Sequence, residues 1–419
     1  MADRIIPSVN ITERSEAPQF QSRFHVIVKA IGSACNIDCS YCFYLHKEQL
    51  LTQHRGNRMP LDLLERYIIQ HIEAHNGDEI VFSWQGGEPT LLGIPYFERI
   101  VSLQKKHCPP DRKISNNLQT NGTLLTEEWC LFLKENDFLV GISIDGPEEL
   151  HNACRKGRSG QPTFENVMRG IGLLRKHSIT FNTLTVVNRY NARYPREVYH
   201  FLRQVVGSTY IQFIPCVEPK DFRTTAPQHW PSTSTPVAGS TAARPGSEDS
   251  VVTEWSVDAD DWGYFLSLAF DEWFRNDLGT VLVNLFETAV VQTMGLPAQI
   301  CTMAQHCGKI TALEHDGTVY SCDHYVYPEY ALGNIGDNHL GNLIHNRHQN
   351  QFGLDKCVTL PEYCNKCEYL SLCWGECPKN RFLRTPDSQP GLNYLCSGFK
   401  QFFRYVEPRL KYIASCLQQ

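Results

Sequence analysis

Three cysteines within eight residues, Cys35, Cys39 and Cys42, form a CxxxCxxC directly after an apolar run. Thiolates at this spacing can hold three irons of a four-iron, four-sulfur cluster and leave the fourth iron without a protein ligand. An open iron can bind a small molecule, whereas a fully ligated cluster can only pass electrons. A second concentration of cysteines follows far downstream: Cys301, Cys307, Cys322, Cys364, Cys367, Cys373, Cys377 and Cys396. Their spacing includes Cx9Gx4C, with Gly317 as the glycine, and Cx2Cx5Cx3C. Eight thiols are enough for two further four-thiolate sites, and by count alone two structural zinc sites fit as well as two clusters. The remaining six, Cys108, Cys130, Cys154, Cys216, Cys357 and Cys416, read as small buried hydrophobes.

Composition sets the setting for this chemistry. The chain has 419 residues, 42% hydrophobic and 20% charged, with a formal net charge of −6. Such a balance offers no basic field, so nucleic acid is not expected as a partner. The first residues lack an apolar signal region and no later stretch is long enough for a bilayer, so no membrane partner and a cytoplasmic location are expected. In that compartment 17 cysteines imply metal or redox chemistry rather than disulfides.

The elements that must position the thiols alternate regularly. Strands are predicted at Phe24–Lys29, Ile80–Trp84, Ile114–Gln119, Leu139–Ile144, Thr180–Val187 and Tyr210–Ile214. Helical periodicity lies between them at Leu61–His75, Tyr96–His107, Glu127–Glu135, Phe164–His177 and Tyr194–Val206. This order predicts an α/β fold, a parallel sheet curled into an open partial (β/α)6 barrel, with chemistry at the C-terminal strand ends. The segment from Glu218 to Val257 is rich in Ser, Thr, Pro, Ala and Gly and reads as a mobile surface loop. A helix at Ala259–Asn276 follows, and Ile310–Cys322 reads as a hairpin turning at Asp316-Gly317.

Strand ends carry further candidates. Trp84-Gln85-Gly86-Gly87-Glu88-Pro89 joins two glycines, which let backbone approach a ligand, to a carboxylate that can accept from an ammonium group. Gln119-Thr120-Asn121-Gly122 and Ser143-Ile144-Asp145-Gly146 stop the next two strands. Arg155 offers a guanidinium fork for a carboxylate, and Arg158 competes for the same role.

CNIDCSYCFY, FSWQGGEPTL, LQTNG, ISIDGP and YIQFIP, in this order, resemble the anaerobic sulfatase-maturating enzymes, a radical S-adenosylmethionine (SAM) family. The likeness runs from about Phe24 to Pro408, and the Ser/Thr/Pro-rich loop is longer than the family pattern requires. The C-terminal array resembles the SPASM extension of such enzymes. The resemblance implies a radical SAM partial barrel at residues 23–218 after an N-terminal extension of residues 1–22. It implies in turn a loop at 219–257, a helical linker at 258–300, a SPASM domain at 301–400 and a C-terminal helix at 401–419.

The same resemblance assigns roles. SAM contacts fall on Tyr41, Gly86, Gly87, Glu88, Ser143, Arg155 and Val217, with Tyr44 and Gln85 in the substrate pocket. Three [4Fe-4S] clusters are implied: one on Cys35, Cys39 and Cys42, one on Cys301, Cys307, Cys322 and Cys377, and one on Cys364, Cys367, Cys373 and Cys396. The implied reaction converts an active-site Cys or Ser of an unfolded or nascent sulfatase into formylglycine. A flavodoxin or ferredoxin would supply electrons. Asp323, next to Cys322, would be the base, with a pKa expected to be raised by shielding from water. Two other functions compete: a SPASM maturase that cross-links a different peptide, and a non-catalytic iron–sulfur electron carrier. Only about 22 residues precede the first strand, too few for the leader-binding domain common in the former. The carrier needs no SAM pocket.

Overall fold

The computed structural model describes residues 24–51, 58–230 and 235–418; the expected extension at residues 1–22 lies outside them. The strands, in chain order, are β1 (His25–Lys29), β2 (Ile37–Cys39), β3 (Glu79–Trp84), β4 (Lys113–Thr120), β5 (Phe138–Ser143), β6 (Arg155–Gly157), β7 (Phe181–Val187), β8 (Tyr210–Pro215), β9 (Leu282–Val283), β10 (Ile310–Glu314), β11 (Thr318–Tyr320) and β12 (Ala331–Asn334).

Six of them, β1-β3-β4-β5-β7-β8, pair in parallel and in that order, joined by helical crossovers. Each strand alternates. Ile80, Phe82 and Trp84 of β3, and Phe138, Val140 and Ile142 of β5, are buried under the helices. The opposite face carries polar side chains. Asn117, Gln119, Asn182 and Gln212 line a cavity of about 230 Å³ inside the curled sheet. A period of two is what a sheet with one face on the core and one on a lumen requires.

The sheet among the described residues has ten strands rather than the six expected, in the order β12-β11-β10-β1-β3-β4-β5-β7-β8-β9. The predicted hairpin is present as β10–β11, but it does not stand apart. β10 adds to the barrel edge, parallel to β1, in the register His25↔Ile310 through Lys29↔Glu314. The Cys-rich segment therefore begins as a continuation of the barrel sheet. Sequence cannot show this, because the pairing joins residues that lie far apart along the chain.

Three further expectations are corrected. The segment at 219–257 is not a mobile surface loop in its described part: Phe222, Ala226, Val252 and Val257 are buried. Tyr330 Oη donates to the Pro227 carbonyl at 3.0 Å, and Thr253 N donates to the Glu218 carbonyl at 2.9 Å. Its composition conceals a few apolar anchors, which hold it despite the polar majority. The helix expected over Tyr194–Val206 is α-helical only at Pro195–His200 and continues as one π-helical stretch, Phe201–Val206. The C-terminal helix begins at Cys396, not at 401, and runs to Leu417. It crosses the Ala259–Asn276 helix in backbone contact: a Cβ on Gly398 would lie 1.9 Å from the Ala259 carbonyl.

Candidate active site

The loop after β1 carries the first three thiols, and glycine makes it fit. Gly32 turns at φ +57°, and Gly87 lies so close that a Cβ there would fall 1.9 Å from the Ala34 carbonyl. Gly87 N donates to the Gly32 carbonyl at 2.9 Å and Glu88 N to the Ala34 carbonyl at 2.8 Å. The double glycine thus seats the cysteine loop against the end of β3. β2 and β6 form an antiparallel ribbon in which Cys39 stands opposite Arg155.

Around this ribbon runs a buried chain of donors. Arg155 Nη1 donates to Tyr41 Oη at 2.8 Å, and Tyr41 Oη donates to Asp145 Oδ2 at 2.6 Å. Arg155 Nε is buried without a partner among the described residues. Gln119 Nε2 donates to Ser143 Oγ at 3.0 Å. Arg158, the competing guanidinium, is used elsewhere: its Nε donates to the Cys35 carbonyl at 2.9 Å.

A cavity of about 250 Å³ gathers these groups. Cys35, Cys39 and Cys42 line it, as do Tyr41, Gly86, Gly87, Ser143 and Arg155. Tyr44 and Gln85 are on its wall, and Asp323, His324, Cys377 and Lys379 of the C-terminal segment close it. Two of the expected contacts are not on the wall. Glu88 is fully buried and spends its carboxylate on the protein: Oε1 accepts from Thr90 N, Thr90 Oγ1 and Thr120 Oγ1, and Oε2 from Asn121 N at 2.7 Å. It fastens the glycine turn to the end of β4 and presents nothing to a ligand's ammonium group. Val217 is also fully buried, and its carbonyl accepts from Lys379 Nζ at 2.6 Å.

The residues fit the groups that the sequence implies. Burial pushes the Cys35 thiol up to about 11 and raises those of Cys39 and Cys42, so these thiols keep their protons until a metal displaces them. The partnerless Arg155 Nε is the donor a carboxylate-bearing ligand would satisfy. Downstream, Cys364, Cys367, Cys373 and Cys396 surround a single small cavity of about 30 Å³. Cys377 and Cys301 lie close enough to Cys322 to disfavour its ionisation, and Cys301 acts likewise on Cys377 and Cys307.

Asp323 departs from expectation in its acidity. Burial alone would raise its pKa, but Lys29, with Nζ 2.6 Å from Oδ1, and next His324, outweigh it and hold the carboxyl below its ordinary value. Lys29 is almost fully buried at the end of β1. Its register partner Glu314 accepts from Tyr44 Oη, so the β1–β10 pairing sets two ion-bearing strand ends against Asp323 and Tyr44 of the cavity wall. Lys47 is likewise buried, 3.2 Å from the centre of the Tyr327 ring, and burial brings its pKa down to about 7. Lys379 Nζ pairs with Glu218 Oε1 at 2.6 Å. Sequence reasoning missed all three lysines. The only signal for Lys29 was a charged residue ending an apolar strand.

An open three-thiol loop and an unsatisfied guanidinium at the strand ends of a partial barrel, closed by a cysteine-rich extension, define a radical SAM enzyme of SPASM type. Family models agree: residues 30–202 match the radical SAM superfamily, and residues 305–368 match the SPASM iron-sulfur cluster-binding domain. The chain is 41% identical to the serine-type anaerobic sulfatase-maturating enzyme of Bacteroides thetaiotaomicron, over 94% of this chain and 92% of the relative. It is 34% identical to the cysteine-type enzyme of Clostridium perfringens, over 93% and 98%. A solved structure described as native anSMEcpe with bound AdoMet and Cp18Cys peptide superposes with a TM-score of 0.79 at 33% identity, covering 94% of this chain and 99% of that one. The chain belongs to the anaerobic sulfatase-maturating enzymes.

Proposed function

We propose that this enzyme oxidises the Cβ of a Cys or Ser side chain in a sulfatase polypeptide to give formylglycine. The observation that carries the reading is the single cavity walled by the CxxxCxxC thiols, by Arg155 and Tyr41, and by Asp323. Cys301, Cys307, Cys322 and Cys377 would hold one auxiliary cluster, and Cys364, Cys367, Cys373 and Cys396 the other. When bound, SAM and the clusters supply one-electron chemistry: a 5′-deoxyadenosyl radical that removes a hydrogen atom from the substrate carbon, and closed clusters that accept the remaining electron.

The chain's own residues bind, orient and move a proton. Arg155 presents its free Nε where a carboxylate can be held, and Tyr41 fixes the guanidinium by hydrogen-bonding to it and to Asp145. Ser143 adds a hydroxyl, and Gly86 and Gly87 leave the wall without side chains. Tyr44 and Gln85 face the substrate side. Asp323 takes the proton from the substrate thiol or hydroxyl. Losing a hydrogen atom from the adjacent carbon makes that S–H or O–H far more acidic, so a carboxylate kept ionised by Lys29 is base enough. The product of proton and electron loss is a thioaldehyde from Cys, which water hydrolyses, or the aldehyde directly from Ser. The sulfatase would be presented unfolded or nascent in the cytoplasm, with a small one-electron carrier of flavodoxin or ferredoxin type as donor.

The test uses anaerobically reconstituted enzyme, dithionite, SAM and a peptide containing Cys-x-Pro-x-Arg or its Ser counterpart. A loss of about 18 Da from the Cys peptide or about 2 Da from the Ser peptide, with 5′-deoxyadenosine formed, is expected. Asp323→Asn should keep deoxyadenosine formation and lose the aldehyde. Deoxyadenosine with neither peptide changed would move the substrate elsewhere, and no deoxyadenosine from cluster-loaded enzyme would remove the enzymatic reading.

A further inference from the structure

The cations and anions buried around the auxiliary cysteines come mostly as neutralised pairs. Lys379 pairs with Glu218, and Lys29 with Asp323. Lys356 and Glu376, like Arg381, form no ion pair among the described residues. Lys356, 1% exposed, donates from Nζ only to neutral carbonyls, those of Cys301 at 2.6 Å and Thr302 at 2.8 Å. Among the described residues no carboxylate forms an ion pair with it. Burial lowers its pKa, and the ionisable groups that act against this to favour its charge are, strongest first, the thiols of Cys377, Cys301 and Cys307, three of the four assigned to one auxiliary cluster, and then Glu376.

Glu376 is its counterpart. It is 3% exposed, and its Oε2 accepts from amide groups alone, Asn380 Nδ2 at 2.9 Å and Asn393 Nδ2 at 2.8 Å. It precedes Cys377 in the chain, and its charge acts on Cys377 and Cys301 of one set and on Cys373 of the other. The neighbouring Arg381 contributes no ion pair to it. Its guanidinium is spent on the carbonyls of Gly375, Lys356, Trp374 and Glu376.

We infer that Lys356 and Glu376 set the reduction potentials of the two auxiliary clusters in opposite senses, with Lys356 making the cluster on Cys301, Cys307, Cys322 and Cys377 the easier one to reduce. A cluster held by four thiolates gains one negative charge when it accepts an electron. A fixed cation in a dry surrounding stabilises that form and a fixed carboxylate opposes it. Lys356 faces one set of thiols, whereas Glu376 stands between both. Arg381 acts on both sets, through Cys307 and Cys364, and so does not distinguish them; Lys400, on the second set alone, is partly exposed and donates to Tyr363 Oη at 2.8 Å, so solvent screens it. The electron left on the substrate carbon after proton loss to Asp323 would thus pass first to the cluster whose ligand Cys377 lines the active cavity. The inference rests on the ligand sets proposed above.

The experiment is an anaerobic redox titration of the fully loaded enzyme followed by electron paramagnetic resonance, without peptide, with iron and sulfide counted per chain. Lys356→Gln should shift one auxiliary midpoint negative by a tenfold change in the reduction equilibrium, about 59 mV for one electron. The other two midpoints should stay in place. Lys356→Arg should remain near wild type. Glu376→Gln should move both auxiliary midpoints positive. A Lys356→Gln enzyme with full iron and unmoved midpoints would overturn the inference, as would the two neutral variants shifting in the same direction. If Lys356→Gln loses iron, Glu376→Gln decides, and unmoved midpoints there reject the proposal. Wild-type enzyme that binds only one cluster's iron would instead reject the ligand sets.

Discussion

Tyr41 stands between a guanidinium and a carboxylate that burial would otherwise strand. Removing its hydroxyl in Tyr41→Phe leaves Asp145 Oδ2 and Arg155 Nη1 each short of a partner, at a cost of about 1–3 kcal/mol. SAM affinity should fall about tenfold, equivalent to 1.4 kcal/mol, since Arg155 loses the group that orients it. Equilibrium dialysis against SAM, alongside thermal unfolding, checks both. Lys29→Met is comparable: it leaves the Asp323 carboxylate, 13% exposed at the cavity wall, without its ion-pair partner, a loss of about 1–3 kcal/mol in chemical denaturation. The thiols were legible from sequence because three ligands on one short loop are already neighbours in the chain. Glu88 was misread for the converse reason. Its carboxylate sits beside the glycines in sequence, but which way it points is decided by Thr90, Thr120 and Asn121. Lys29 acquires its meaning only from a strand that arrives much later in the chain.

Among the elements, two close backbone approaches have no room for a methyl group. At Gly87 the obstacle is the Ala34 carbonyl just ahead of Cys35, so Gly87→Ala should displace the CxxxCxxC loop. Iron analysis should then show loss of the open-site cluster with the auxiliary iron retained. At Gly398 the obstacle is the Ala259 carbonyl, and Gly398→Ala should part the two long helices at a cost of about 1–3 kcal/mol, read as a lower unfolding midpoint. The six barrel strands were readable because their alternation of apolar and polar residues is carried by every one of them. The β2–β6 ribbon was not. Each strand is three residues long, too short for any periodicity, although this ribbon sets Arg155 opposite Cys39. The loop at 219–257 misled in the same way, since its anchors are single residues in a polar background.

At the scale of the molecule, one end of the barrel carries a group of histidines with an acid-sensitive consequence. Phe24 touches the rings of His71, His75 and His345, and His25 follows it in the chain. Burial lowers the pKa of all four histidines, with His75 also acting on His71, His25 and His345. Above about pH 6.5, the ordinary value, they are neutral folded or unfolded and impose no cost. Below it the unfolded chain takes up protons that the folded chain refuses, so stability falls as pH falls. Urea midpoints at pH 7.5 and pH 5.5 should show the loss, and His71→Phe should make it shallower.

The union of β1 with β10 also sets a schedule. During synthesis the first strand of the barrel emerges early, and its edge partner is not made until the ribosome has delivered Glu314. Over that interval β1 shows an open, apolar strand edge, the kind of surface that recruits other chains. A chain ending at Gly295 should therefore collect in aggregates rather than accumulate as a free barrel, and the cell's chaperones would have to shelter each new molecule until its last third is complete.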